Sequence, residues 1–181
     1  MITSIIIITP DPDEIQYNPN RPESYKRKMK YVTASRDGKV KIWNAFTMKL
    51  ENNGVITVVK DIWVTCIHYM TFSKRLIAAS ANRMISFYDL SSTQYMIPTS
   101  RIEGLVGIPL CLEYYRWPEN NNDQKLETLL VGDDLGICHM YTFIQKDWHI
   151  CQYKLESEYK TSQGGHVLSM ECHKTKIKED F

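Results

Sequence analysis

Three times along this chain of 181 residues the same order of segments returns. A long apolar stretch comes first. A stretch of small residues ending at Ser or Gly follows, then a tight turn, then an alternating stretch that closes on an aromatic. The first set is "ITSIIIIT" (Ile2–Thr9), "KYVTAS" (Lys30–Ser35) and "KVKIW" (Lys39–Trp43). The second is "WVTCIHYM" (Trp63–Met70), "LIAAS" (Leu76–Ser80) and "MISFYD" (Met84–Asp89). The third is "LCLEYY" (Leu110–Tyr115), "TLLVG" (Thr128–Gly132) and "ICHMYTF" (Ile137–Phe143). These runs are short and rich in β-branched and aromatic residues, with Gly, Pro and Asn between them, so they read as strands. Helical periodicity is scarce.

The closing aromatics Trp43, Tyr88 and Tyr141 lie 45 and 53 residues apart. A period of about 40–45 residues with four strands per unit marks a propeller blade. The longer second interval has a visible cause, the polar insertion "PENNNDQKLE" (Pro118–Glu127). An outer fourth strand is expected at Val55–Val59, Gln94–Pro98 and Trp148–Tyr153. The predicted fold is therefore all-β, a partial propeller. Blade one spans about 1–60, blade two about 61–104 and blade three about 105–155, with the first strand of a fourth at about 164–173. Residues 10–28 are an inserted surface loop and 174–181 a tail.

The stretch "VTASRDGKVKIWN" (Val32–Asn44) gives the turn its chemistry. A two-residue hairpin turn needs a positive φ, which Gly38 adopts without steric cost. Asp37 can accept hydrogen bonds from turn N–H groups. This stretch resembles the second half of a WD-repeat, and Gly165-His166 is similar to the Gly-His that opens one. The resemblance implies a structural hydrogen-bonded set in which Ser35, Asp37 and Trp43 fill three of four roles. The His of the fourth is missing ahead of the first strand. Units two and three depart from the pattern: Asn82-Arg83 replaces Asp-Gly, Leu135 stands at the Asp position, and Tyr88 and Tyr141 replace Trp. Ser, Asp and His together invite a hydrolase reading. No Gly-x-Ser-x-Gly elbow supports it, so no catalytic residue is assigned and the protein is expected not to be an enzyme.

Charge points to no dedicated nucleic-acid domain. The net charge is +1 and the pI near 7.6, against a pI above about 9 for such domains. Locally, however, Arg21 to Lys41 holds eight Lys/Arg and two Asp/Glu. The loop Pro10–Lys28, which overlaps this stretch, contains four prolines and cannot bury itself. Arg21, Tyr25, Lys26, Arg27 and Lys28 are the candidate partner-binding residues, for an acidic protein surface or, as the alternative, a polyanion such as nucleic acid or a phosphoinositide.

Cys and His lie close at Cys66/His68, Cys138-His139, His149/Cys151 and Cys172-His173. Neighbours on a strand face opposite ways and no Cys-x-x-Cys knuckle exists, so no metal is expected. "NNND" (Asn120–Asp123) lacks the calcium-loop pattern. No cofactor is implied. Five cysteines at wide spacing and no secretory signal suggest an intracellular, cytoplasmic protein. "IIII" (Ile5–Ile8) is too short to span a membrane.

The WD-repeat resemblance implies a non-catalytic scaffold holding other proteins, with nucleic acid disfavoured as a partner. "KDIWVTCIHYM" and "MISFYDLSS" are similar to segments of the large WD-repeat proteins of the cilium and axoneme. Seven blades need roughly 300 residues, so the chain is expected to be part of a larger propeller, or to need further blades.

Overall fold

The structure, a computed structural model, describes residues 1–10, 28–92, 95–116, 126–145, 151–161 and 164–172. Twelve strands form three four-stranded antiparallel sheets. The first sheet holds β1 (Ile2–Ile8), β2 (Lys30–Ser35), β3 (Lys39–Asn44) and β4 (Leu50–Thr57), in that order. The second holds β5 (Val64–Met70), β6 (Arg75–Ser80), β7 (Met84–Asp89) and β8 (Ser100–Ile102). The third holds β9 (Pro109–Arg116), β10 (Leu126–Asp133), β11 (Ile137–Gln145) and β12 (Cys151–Lys160).

Each sheet is a simple meander, so its register follows from its hairpins. Ala34 pairs with Val40, Ser80 with Met84 and Gly132 with Cys138 across the three second-to-third-strand turns. All three turns hold a residue at positive φ: Gly38 at 77°, Arg83 at 64° and Gly136 at 78°. Arginine there carries a strain that glycine avoids. At Gly38 a Cβ would fall on the Val59 carbonyl oxygen, so even alanine does not fit.

The sheets stack face to face with their first strands adjacent, β1 against β5 and β5 against β9. Two cores result. Val32, Ala34, Val40, Ile42 and Ile56 of the first sheet meet Val64, Ile67, Leu76, Ala78 and Tyr88 of the second. Met70, Ile77, Ile85 and Phe87 of the second meet Leu112, Leu129, Val131, Tyr141 and Phe143 of the third. The middle sheet is therefore covered on both sides. That is why β6 is buried at every position and, after Arg75, reads as a run of small and apolar residues, while β3 alternates.

The outer strands correct the sequence reading. In the second sheet the fourth strand is Ser100–Ile102, not Gln94–Pro98. Pro98 has no N–H to give a ladder, and the described part of the earlier segment forms turns instead. In the third sheet β12 runs to Lys160, beyond the expected end of the unit at 155. Of the polar insertion Pro118–Glu127, Leu126 and Glu127 belong to β10 instead, with Glu127 buried, while residues 118–125 and the tail 174–181 lie outside the described residues.

Candidate functional site

The polar side chains that stood out in the sequence hold turns. Ser35 Oγ donates to Asp37 Oδ1, and the same carboxylate oxygen accepts the Lys39 N–H at 3.1 Å. Ser35 Oγ also lies 3.3 Å from the Lys39 carbonyl. The Ser35 hydrogen bond holds the Asp37 carboxyl below the usual carboxylate range; burial opposes it, and the Lys39 N–H and the charges of Lys39 and Lys41 add to the lowering. Trp43 does not join this pair. Its indole Nε1–H donates to Thr33 Oγ1 at 3.0 Å. Register explains the difference. Trp43 pairs with Tyr31, so Thr33 is two residues along β2 and Ser35 is four. At about 3.3 Å per residue the second distance is ~13 Å, beyond the reach of the ring.

The other two sheets reuse the positions with different chemistry. Ser80 Oγ sits 2.6 Å from Asn82 Oδ1 and 3.2 Å from the Met84 carbonyl. In the third sheet Asp133 occupies the serine position and takes over the turn. Its Oδ1 accepts Leu135 N–H at 3.0 Å and Ile137 N–H at 2.8 Å. Its Oδ2 lies 3.0 Å from His139 Nε2, and His139 Nδ1 lies 2.8 Å from Glu158 Oε1. Asp133 and His139 are both buried, and the group ties β10, β11 and β12 together. Sequence reasoning missed it because Leu135 broke the Asp-Gly pattern. The available signal was Asp133 four residues before Ile137, as Ser35 is before Lys39.

Cysteine chemistry is muted. Burial pushes the Cys66 thiol up to about 12 and the Cys111 thiol up to about 11. Both stay protonated at neutral pH and are poor nucleophiles. Among the described residues no group of three or more His, Cys, Asp or Glu is placed to hold a metal. Of the candidate partner-binding residues, Lys28 is exposed beside β2. Arg21, Tyr25, Lys26 and Arg27 lie outside the described residues.

The aromatics that close each third strand all face the same way. Tyr88 is buried against the first sheet and Tyr141 against the second. Trp43 points away from the second sheet, on the face opposite Val40 and Ile42, and is only half-buried. Ile5 and Ile7 share that open face, each more than half exposed, while Ile6 and Ile8 turn to the core. At the far end, Gly164–Cys172 lies on the third sheet. The Val167 N–H donates to the Asp133 carbonyl at 3.0 Å, and Cys111 Sγ lies 3.3 Å from the Val167 carbonyl. The contacts between sheets follow the same form. Thr3 Oγ1 donates to the Val64 carbonyl at 2.6 Å, and Thr65 Oγ1 to the Pro109 carbonyl at 2.6 Å.

No protein-family profile matches the chain. Among solved structures it is similar to a chain in the crystal structure of a mitotic checkpoint complex, with a TM-score of 0.51 and 16% identity. The match covers 74% of this chain and 35% of that one, so this chain spans about a third of the length of the chain it matches. The likeness is one of fold. The chain is a partial β-propeller. Its three sheets are blades, with β1, β5 and β9 as the inner strands. Val167 then occupies, on blade three, the place that Val64 takes on blade one and Pro109 on blade two. Residues 164–172 form no strand ladder among the described residues. No helix among the described residues is long and apolar enough to cross a membrane.

Proposed function

We propose that this propeller is a non-catalytic scaffold for protein–protein interaction and forms part of a larger ring. One observation carries the scaffold reading. The buried polar groups that resemble a catalytic set, Asp133 and His139, spend their hydrogen bonds on backbone turns and on Glu158. What the molecule presents to its surroundings is rim, loops and blade faces. Tagged chain in which Lys26, Arg27 and Lys28 are all changed to Glu should recover fewer cross-linked protein partners from cells than wild type, with an unchanged melting temperature. Full recovery by the variant would remove the basic loop from the reading. The sequence similarity of "KDIWVTCIHYM" and "MISFYDLSS" to ciliary and axonemal WD-repeat proteins supports a place in the axoneme as the finer reading.

The larger ring is supported at both ends of the stack. Blade one exposes Ile5 and Ile7 and leaves Trp43 half-buried where Tyr88 and Tyr141 have a preceding blade over them. Blade three holds Val167 in an inner-strand position. Closed propellers have about four to eight blades, so three leave apolar faces open, and such faces associate. Sedimentation velocity on the purified chain should show self-association at micromolar concentration, relieved when Ile5 and Ile7 are replaced by Lys. A compact wild-type monomer would overturn this part of the proposal.

A further inference from the structure

Strand direction puts the connections between first and second strands, and between third and fourth strands, at one end of every blade. At that end two neighbouring connections hold five large apolar side chains in solvent. Phe46 and Met48 come from the turn into β4, Leu50 from its first position, Met96 and Ile97 from the turn before β8, and they are between 40% and 68% exposed. Scattered single apolar residues are ordinary on a surface, whereas a contiguous group marks an interaction site. The Tyr95 ring packs on the first core and its hydroxyl donates to the Asn52 carbonyl at 3.2 Å. Met96 and Ile97 are thereby held beside β4.

The turn that presents Met48 is well fastened. Asn44 Oδ1 accepts the N–H groups of Phe46 at 3.0 Å and Thr47 at 2.9 Å. Met48 itself stands at a φ of 56°, in the left-handed region that long side chains rarely enter. On the blade-one side the patch is bordered by three lysines, with the Glu51 carboxylate between the two turns. Ala45 N–H donates to the Met29 carbonyl at 3.0 Å, which brings Lys28 and Lys30 alongside, and Lys49 lies in the turn. Lys28 and Lys49 are exposed. The carboxylate of the neighbouring Glu51 accepts from Asn44 Nδ2 at 3.2 Å.

We propose that this rim of blades one and two docks an acidic amphipathic segment of a partner protein. The apolar side of the segment covers Met48 and Ile97, and its Asp and Glu residues meet Lys28, Lys30 and Lys49. Methionine suits such a surface because its unbranched chain adapts to the partner's shape. The lysine border selects an acidic partner and speeds encounter. The inference rests on the scaffold reading and names the chemistry of one partner.

The test is selection of a displayed library of random 16-residue peptides on the full chain, with binding then measured on a double variant Met48→Ser/Ile97→Ser and on Lys49→Glu. Circular dichroism melts confirm that both variants fold as wild type does. The expected result is enrichment of peptides with several Leu, Ile or Phe and net negative charge, whose affinity falls on the order of tenfold or more on each variant. Enriched peptides that are neutral or basic, or that bind the variants as well as wild type, overturn the proposal. So does an absence of enrichment, or stronger sedimentation with phosphatidylserine-containing vesicles than binding to any acidic peptide. Cross-linking in cells separates the two readings. Equal partner recovery by wild type and the double variant leaves the scaffold standing and removes this surface. No recovery above background by wild type removes the scaffold itself.

Discussion

Asp133→Ala is expected to lower stability by about 3–5 kcal/mol, since it strips the acceptor from several buried groups at about 1–3 kcal/mol each. The carboxylate serves three partners: it accepts two turn N–H groups at 3.0 and 2.8 Å and lies 3.0 Å from His139 Nε2. Alanine leaves both amides and one ring nitrogen without the partner they have, in a place that water scarcely reaches. Asn at the same position keeps an oxygen for the turn and discards the charge, so its loss should be smaller. Urea melts of the two variants and wild type measure the order. Equal stability of wild type and the alanine variant would mean that the turn, not the side chain, organises this hairpin. The penalty should also reach β12, since Glu158 holds the other face of the same imidazole at 2.8 Å. Hydrogen exchange at the β12 amides would then rise first.

A second loss of similar size is expected from Phe87→Ala, about 3–5 kcal/mol for a fully buried Phe. The ring is buried between blades two and three, 5.2 Å from the Phe143 ring and tilted 57° to it. Phe143 in turn lies 6.1 Å from Tyr153, whose hydroxyl donates to the Arg101 carbonyl at 2.8 Å. One deletion thus opens a cavity at the joint and loosens an aromatic chain that spans it. Ile5→Ala is the control, because Ile5 lies on the open face of blade one. Its cost should stay within about 0.5 kcal/mol, as for most surface changes. Comparable losses for the two variants would show that the covered and open faces have been exchanged.

Both predictions depend on which face of a strand is covered, and that is where sequence and structure part company. Hairpin turns are local. Asp37 and Gly38 are adjacent, and a carboxylate accepting a turn N–H beside a glycine at positive φ was readable before any packing was known. The second and third strands of each blade were legible for the same reason: alternation, small residues and a turn residue at fixed spacing. The extra length of the third unit was legible as a polar insertion. The outer strand of blade two was not, because Gln94–Pro98 and Ser100–Ile102 compete for one sheet edge and only the ladder to β7 selects between them.

Cys138-His139 shows the same boundary from the other side. The sequence excluded a shared metal, since adjacent strand residues face opposite ways. It held no sign that His139 would lie between Asp133 and Glu158, which is contributed by a strand 19 residues on. The indole of Trp43 needed an acceptor, and the WD-repeat resemblance offered Ser35. The register of β2 against β3 chose Thr33. Trp43 also reads as a core residue by type, yet it is half-buried because no blade among the described residues stands in front of it.

By itself, then, the sequence determined that the chain is all-β, that it repeats in units of four strands, and where its tight turns fall. Each of those properties arises from interactions within about ten residues. Only the tertiary structure decided which faces are covered, which polar groups meet, and which rim carries Met48, Ile97 and their lysine border. Those outcomes depend on the register between neighbouring strands and on the packing of one blade against the next, and side-chain type does not encode that geometry.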